Sequence, residues 1–450
     1  MLRRFLFHSF GSLFTFDRWV RKRFTNAGLL TLVGLIASAV VGLDTNRTVA
    51  FQAFTFLLSL LVISVLWGLF SRSRFKAYRK LPRFVTAGEQ FHYNVVIENK
   101  TGKDQKNLTV FENPARRFPT YQEFLQAPEP ENVPRNAFDR KVGYHRWVRL
   151  VHKKQGSGVE EHPVPVLSPN DRKELKVEIL PLNRGRLTLK GLTVARPDPF
   201  GLFKSFDHIP LMESVMVLPK RYPLPPIHLS GTRTYQPGGV SLAQSVGDSE
   251  EFLSVRDYRP GDPLRRIHWK SWAKTGKPVV KEYQDEFFVR HALILDTFQE
   301  AAYSDTFEEA VSVAASFACS IQTQDSLLDL MFAGPEAFCF TSGRGLAHED
   351  QMLEILASVT PATRKTFSIL SALVIERASL LSGCICIMLA WDPERQKLVE
   401  YLRGLGLPVL VLVVSQEEAF PPLDPGPMGD RPENLHRLRV GNIEKGLAGL

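Results

Sequence analysis

Cysteine is scarce in this chain: there are four in 450 residues, and none precedes Cys319. Cys319, Cys339, Cys384 and Cys386 lie in apolar surroundings without zinc-type spacing, which argues against a disulfide framework or a thiolate metal site. They read as small buried hydrophobes in a reducing compartment. Also missing are a Walker A loop, a G-x-S-x-G elbow, an H-E-x-x-H helix, a dinucleotide glycine fingerprint and a kinase signature set. Gly343 and Gly345 are too sparse to form a phosphate cradle. No catalytic residue is assigned on this basis, the chain is not read as an enzyme, and weight shifts to binding. Acidic residues are scarce in two places. Residues 71–83 carry Arg72, Arg74, Lys76, Arg79, Lys80 and Arg83 with no acid, and residues 1–26 carry six basic residues against Asp17 alone.

Those two basic blocks, +5 and +6, exceed the whole net charge of +9. They bracket two uncharged runs, residues 27–43 and 49–70. About 20 residues of helix cross a hydrocarbon core of roughly 30 Å, so the pair reads as a transmembrane hairpin turning at Asp44–Thr48. Basic flanks outside both spans place both termini in the cytoplasm, which predicts a multi-pass bacterial inner-membrane protein. Because the lipid bilayer accounts for the basic charge, no nucleic acid partner is expected. The alternative is a cleaved signal peptide, with Ala37-Ser38-Ala39 as its cleavage site. Residues 5–16 interleave aromatics with few charges, as in a headgroup-layer segment or a disordered one.

From residue 82 the pattern alternates with period two: Phe91, Tyr93, Val95 and Ile97 oppose His92, Asn94, Val96 and Glu98, ending at the turn Asn99–Gly102. Similar runs at 108–111, 175–179, 187–194 and 214–218 predict an antiparallel, immunoglobulin-like β-sandwich over residues 82–220. Residues 112–165, richer in proline and charge, read as an excursion from it.

Residues 221–284 form a distinct segment. Within it, 256–281 holds eight basic and two acidic residues around Tyr258, Ile267, Trp269 and Trp272. Such a mixture suits an internal Arg/Asp/Trp network, a partner-binding surface, or nucleic acid. Asp262 is placed to cap a short helix starting near Pro263, with Arg265 and Trp269 on one face. A catalytic reading would use Asp262 and His268 as proton carriers. Arg256, Tyr258, Gly261, Asp262, Arg265, Ile267, Trp269 and Lys270 match the hallmark R-x-Y-x-x-G-D-x-x-R-x-I-x-W-K of the domain of unknown function 58 family, which the chain resembles. Ser271–Lys274 departs from the family's usual ending, whereas Asn183–Arg186 and Asp198-Pro199-Phe200-Gly201-Leu202-Phe203 also look family-like.

Residues 285–450 alternate apolar strands (His291–Asp296, Leu327–Ala333, Cys384–Ala390, Val409–Val414) with helical stretches, which predicts a doubly wound α/β domain. The resemblance implies a von Willebrand factor A-like fold here, with a cation site after the first strand. Asp296 matches its first ligand and Glu300 and Asp392 are the other candidate acids, but Phe298 stands where a hydroxyl is wanted. Mg²⁺ is the one cofactor left open; otherwise Asp296 and Asp392 pair with arginine or backbone amides. The resemblance further implies a role in assembling or activating partners beside a MoxR-type AAA ATPase or a transglutaminase-like membrane protein. The alternatives are a Mg²⁺-dependent adhesion module and an unrecognised hydrolase or transferase.

Overall fold

The computed structural model describes residues 2–41, 48–70, 74–115, 118–126, 142–225, 251–262, 264–284, 289–299, 303–321, 326–334, 336–343, 349–363, 366–416 and 423–450. Glu300, the expected turn between the apolar runs apart from Thr48, and residues 226–250 of the motif segment lie outside them. The chain divides into two compact units: residues 1–221 with 301–303 and 353–359, and the remainder from residue 222 onward.

The first unit opens with three helices, α1 (Leu2–Arg23), α2 (Asn26–Val41) and α3 (Thr48–Phe70). Residues 49–68 of α3 are long and apolar enough to cross a membrane. Of the expected first span, 27–43, residues 27–41 are helical in α2, whose 16 residues run about 24 Å at 1.5 Å per residue, and residues 42–43 lie outside the described ones. α1 is one continuous helix, so the aromatic residues of 5–16 are helical.

Strands β1 (Phe75–Lys80), β2 (Phe84–Thr86), β3 (Phe91–Asn99) and β4 (Leu108–Pro114) follow. Next come α4 (Tyr121–Gln126), α5 (Tyr144–Lys153), β5 (Ser157–Val159), β6 (His162–Val164), β7 (Arg172–Pro181), β8 (Gly185–Pro197) and β9 (Lys204–Leu218). They form two sheets, β1-β3-β7-β5 and β2-β9-β8-β4-β6. All pairings are antiparallel except the parallel β2–β9 contact. The sandwich therefore starts at Phe75, ahead of the expected residue 82, because β1 pairs with β3. Period-two alternation turns Tyr93, Val95 and Ile97 inward against Leu189, Leu192, Val194 and Val217. Val95 and Ile97 are wholly buried, each worth about 1.5–3 kcal/mol. The excursion after β4 includes α4 and α5, whose Phe124, Trp147 and Val151 pack with Phe10 of α1.

The second unit contains a two-stranded hairpin, β10 (Glu251–Asp257) and β11 (Val279–Gln284), with α6 (Trp269–Thr275) in its connection. A six-stranded sheet follows, built from β12 (Val289–Leu295), β13 (Ser326–Ala333), β14 (Ala337–Ser342), β15 (Gly383–Met388), β16 (Val409–Ser415) and β17 (Leu435–Arg439). Its helices include α7 (Asp305–Ser320), α9 (Ser368–Arg377), α10 (Pro393–Gly404) and α11 (Ile443–Leu447), while α8 (Glu349–Ser358) is divided at Met352 between the two units. The order is β14-β13-β12-β15-β16-β17, parallel except for the β14 edge. Continuous apolar runs suit a sheet covered on both faces, and every residue of β15 is buried. The chain reverses its direction of winding between β12 and β15, the point where open α/β sheets present a crevice at the strand ends.

Candidate functional site

The family-motif segment is a latched hairpin. Residues 258–278 bulge between β10 and β11 and are tied at the neck by the Tyr258 amide donating to Pro278 (2.9 Å) and the His268 amide donating to Val279 (2.9 Å). Ile267 bridges to Val280, and both side chains are buried. The Arg256 guanidinium reaches back to donate to both Asp262 oxygens at 2.7 and 2.8 Å, and the Arg259 amide donates to the same carboxylate at 2.9 Å. Such bidentate charge-assisted pairs fix geometry as well as adding energy. Hydrogen bonds from Arg256 and from that amide hold the Asp262 carboxyl down at about 2. Gly261 turns the chain at φ +108°, where a Cβ is strained. The expected helix at Pro263 with Asp262 as its cap is corrected accordingly: Leu264–Arg266 is a single 3-10 turn, α6 begins at Trp269, and Asp262 holds Arg256 instead.

The eight motif residues thus separate by role. Arg256, Gly261, Asp262 and Ile267 build the latch, and the Tyr258 amide closes its neck. Arg265, Trp269 and Lys270 project outward. Trp269 is 63% exposed and stacks on Trp272 with ring centroids 5.2 Å apart and planes at 20°. Leu264 beside them is 67% exposed. Arg265, Lys270, Lys274 and Lys277 make no salt bridge among the described residues. His268 shares a 2.6 Å hydrogen bond with Ser271, while Asp262 is occupied by Arg256, so no hydrogen bond joins the two groups of the catalytic reading.

The crevice between β12 and β15 is built differently. Asp296 ends β12 with no exposed surface. One of its oxygens accepts the Phe298 amide at 3.0 Å; the other accepts the Leu389 amide at 3.0 Å and Arg395 Nε at 2.6 Å. Asp392 caps α10 by accepting the Arg395 amide at 3.1 Å, with Pro393 next, as helix starts favour. Its other oxygen accepts from the Arg395 guanidinium. Burial opposes the charge on Arg395, but Asp296 and Asp392 together raise its pKa above the ordinary guanidinium value. Phe298 packs edge-on to Phe367 at 5.8 Å, and Arg395 lies 4.8 Å over that ring. The Thr297 hydroxyl donates to the Ala333 carbonyl at 2.6 Å.

This donor set does not suit a divalent cation. Asp296 is neutralised by a guanidinium, Phe298 is core, and no group of three or more His, Cys, Asp or Glu residues able to hold a metal occurs among the described residues. Arg395 was missed by the sequence reasoning; its trace is an arginine three residues after Asp392 at a helix start. The four cysteines are free. Burial pushes the Cys384 thiol up to about 12 and Cys386 well above its usual value, which removes both as nucleophiles near neutrality.

The second family-like stretch forms a tight turn between β8 and β9. The Asp198 carboxylate accepts the amides of Phe200, Leu202 and Phe203 at 2.7–3.1 Å. The carbonyls this leaves outward accept from Thr25 at the start of α2: its amide to Leu202 at 3.1 Å and its hydroxyl to Gly201 at 2.5 Å. A Cβ on Gly28 would lie 2.1 Å from the Leu202 oxygen, so α2 reaches the turn only because residue 28 is glycine.

Together these features define a multidomain protein in which an antiparallel β-sandwich precedes an α/β unit with a latched hairpin. Residues 254–378 match the family described as "Protein of unknown function DUF58". The chain is also 28% identical over 187 residues to "Uncharacterized protein YeaD" of Bacillus subtilis (strain 168), a match covering 41% of this chain and 45% of that relative. Crystal and solution structures of the CARDB domain of the PF1109 protein from Pyrococcus furiosus are 14% identical. They cover 32% of this chain and 89% and 94% of their own, at TM-scores of 0.18 and 0.17. At such scores the likeness has no structural weight; the sandwich is defined by its own strand pairing and core.

Proposed function

We propose that the chain is a bacterial inner-membrane interaction module whose latched hairpin docks an acidic protein surface. The carrying observation is the exposed Trp269 on Trp272, held on a rigid latch among Arg265, Lys270, Lys274 and Lys277. Aromatic anchors ringed by charge are the usual centres of binding energy at protein interfaces. In this reading both α2 and α3 cross the bilayer and both termini lie in the cytoplasm. The partner class is a MoxR-type AAA ATPase or a transglutaminase-like membrane protein.

In the same reading the α/β unit has a von Willebrand factor A-like fold, supported by its central first strand and antiparallel edge. It engages ligands without a cation, because Arg395 supplies positive charge where a metal would sit. No step here calls for catalysis.

Capture of partners from native membranes tests the proposal. Trp269→Ala and Lys270→Glu are expected to abolish recovery of an ATPase that wild type retains. Equal recovery by all three would refute the hairpin as the docking surface.

A further inference from the structure

The outer face of α1 is largely exposed, with Trp19 alone of its large apolar residues meeting Phe24 at 6.3 Å and Phe203 at 6.4 Å. We propose that it lies in the headgroup layer of the bilayer and binds anionic phospholipid. The inference rests on the membrane reading above and extends it from the two apolar helices to a third, in-plane element.

α1 has two unlike faces. At 100° per residue, Phe7, Phe10 and Phe14 fall together. They pack on protein: Phe7 against Tyr121 at 5.3 Å, Phe10 against Tyr144 at 5.4 Å, and Phe14 against Trp147 at 5.6 Å. Leu13, Phe16 and Trp19 fall on the other side and are 56%, 64% and 46% exposed. Phe16 and Trp19 stack at 6.3 Å with planes 15° apart. They wall a shallow groove of about 650 Å³ whose floor is Gly11, Ser12 and Thr15, with Phe118 at its rim. A stretch this apolar is costly to leave in water.

Its position selects lipid as the occupant. α1 ends at Arg23 and α2 begins at Asn26, and the joint is fixed. The Phe24 amide donates to Val20 at 2.9 Å, and Thr25 is bonded to the 201–202 turn as described. Trp19 and Phe16 therefore stand about two and three turns before the entry of an apolar helix, at the depth of the headgroups. Tryptophan, with its apolar body and polar N–H, favours that layer. The sign of the charge agrees: residues 4–23 carry Arg4, Arg18, Arg21, Lys22 and Arg23 against Asp17, with Arg21 paired to Asp17, Lys22 over the Phe111 ring at 3.8 Å, and Arg23 over Phe206 at 4.7 Å and Trp19 at 5.6 Å. Amphipathic helices with this division bind anionic surfaces in plane.

The test uses the full chain, one copy per lipid nanodisc, in equal mixtures of phosphatidylglycerol and phosphatidylcholine, with either species brominated next to its headgroup. The Trp19 emission is taken as wild type minus Trp19→Phe. That of Trp67, 53% exposed near the end of α3, is taken as wild type minus Trp67→Phe. The expected result is loss of the Trp19 emission, greater when phosphatidylglycerol carries the bromine, while Trp67 is quenched by both. Quenching of Trp67 with Trp19 untouched would overturn the in-plane helix and leave the membrane reading standing. Failure to quench either would overturn the membrane reading and this inference together. Equal quenching of Trp19 by both lipids would overturn the anionic preference.

Discussion

Among the described residues, Arg79 of the first unit and Arg395 of the second are both buried against carboxylates, for different ends. In the sandwich, Arg79 has no exposed side-chain surface and donates to Glu112 at 2.6 and 2.8 Å, to Glu213 at 3.0 Å, and to the carbonyls of Leu189 and Leu211. Glu112 is equally buried and also accepts the Tyr93 hydroxyl at 2.5 Å. Arg79 and Glu112 are satisfied inside the wall of the fold, and Glu213 closes the cluster at its surface, 36% exposed. Arg395 stands at the winding reversal of the α/β sheet, and its second partner, Asp392, is 41% exposed. The first arginine cross-links two sheets. The second fills a crevice that similar folds leave open for ligands, and one rim of it meets solvent.

The contrast makes ranked predictions. Arg79→Met strands Glu112 in the core and is expected to destabilise the sandwich by about 3–5 kcal/mol, read as a fall in its thermal transition; a loss under 1 kcal/mol would mean that the cluster is dispensable. Arg395→Met leaves Asp296 its two amide donors, so the expected loss is smaller, about 1–3 kcal/mol, with partial recovery on adding Asp296→Asn. Added Mg²⁺ is expected not to shift wild-type melting; a rise would show a cation competing with Arg395.

Acid should separate the units as well. Burial lowers the pKa of His291, and its Nδ1 has no partner in the structure. The unfolded chain therefore binds more protons as pH falls below about 6.5. The α/β unit is expected to lose stability downward through that range, by up to about 1.4 kcal/mol per pH unit, and His291→Leu should flatten the slope in pH-resolved unfolding. Smallest in stability is Trp269→Ala, within about 0.5 kcal/mol because its surface is already exposed.

What could be read from the sequence was local. The 91–97 alternation and the uninterrupted runs at 291–295 and 384–388 declare their elements because period and burial leave a direct signature in residue order. Residues 5–16 admit two readings in sequence, since the inner aromatics of α1 have meaning only once α4 and α5 stand opposite. The β10–β11 pairing was missed because 21 residues separate the strands and the latch depends on a side chain reaching back from Arg256 to Asp262. Glu112 and Arg395 were invisible for the same reason: charged residues in a sequence look solvated until distant partners surround them. The eight motif residues were found, but their division into latch and outward face needed coordinates.

The Asp198–Phe203 turn has a mechanical consequence. With three of its amides consumed by Asp198 and two of its carbonyls by Thr25, it has little slack, and Gly28 leaves no clearance against it. In a bilayer such a joint behaves as a clevis rather than a tether. Were α2 planted in a bilayer as proposed, its angle would set the standing height and heading of the whole sandwich.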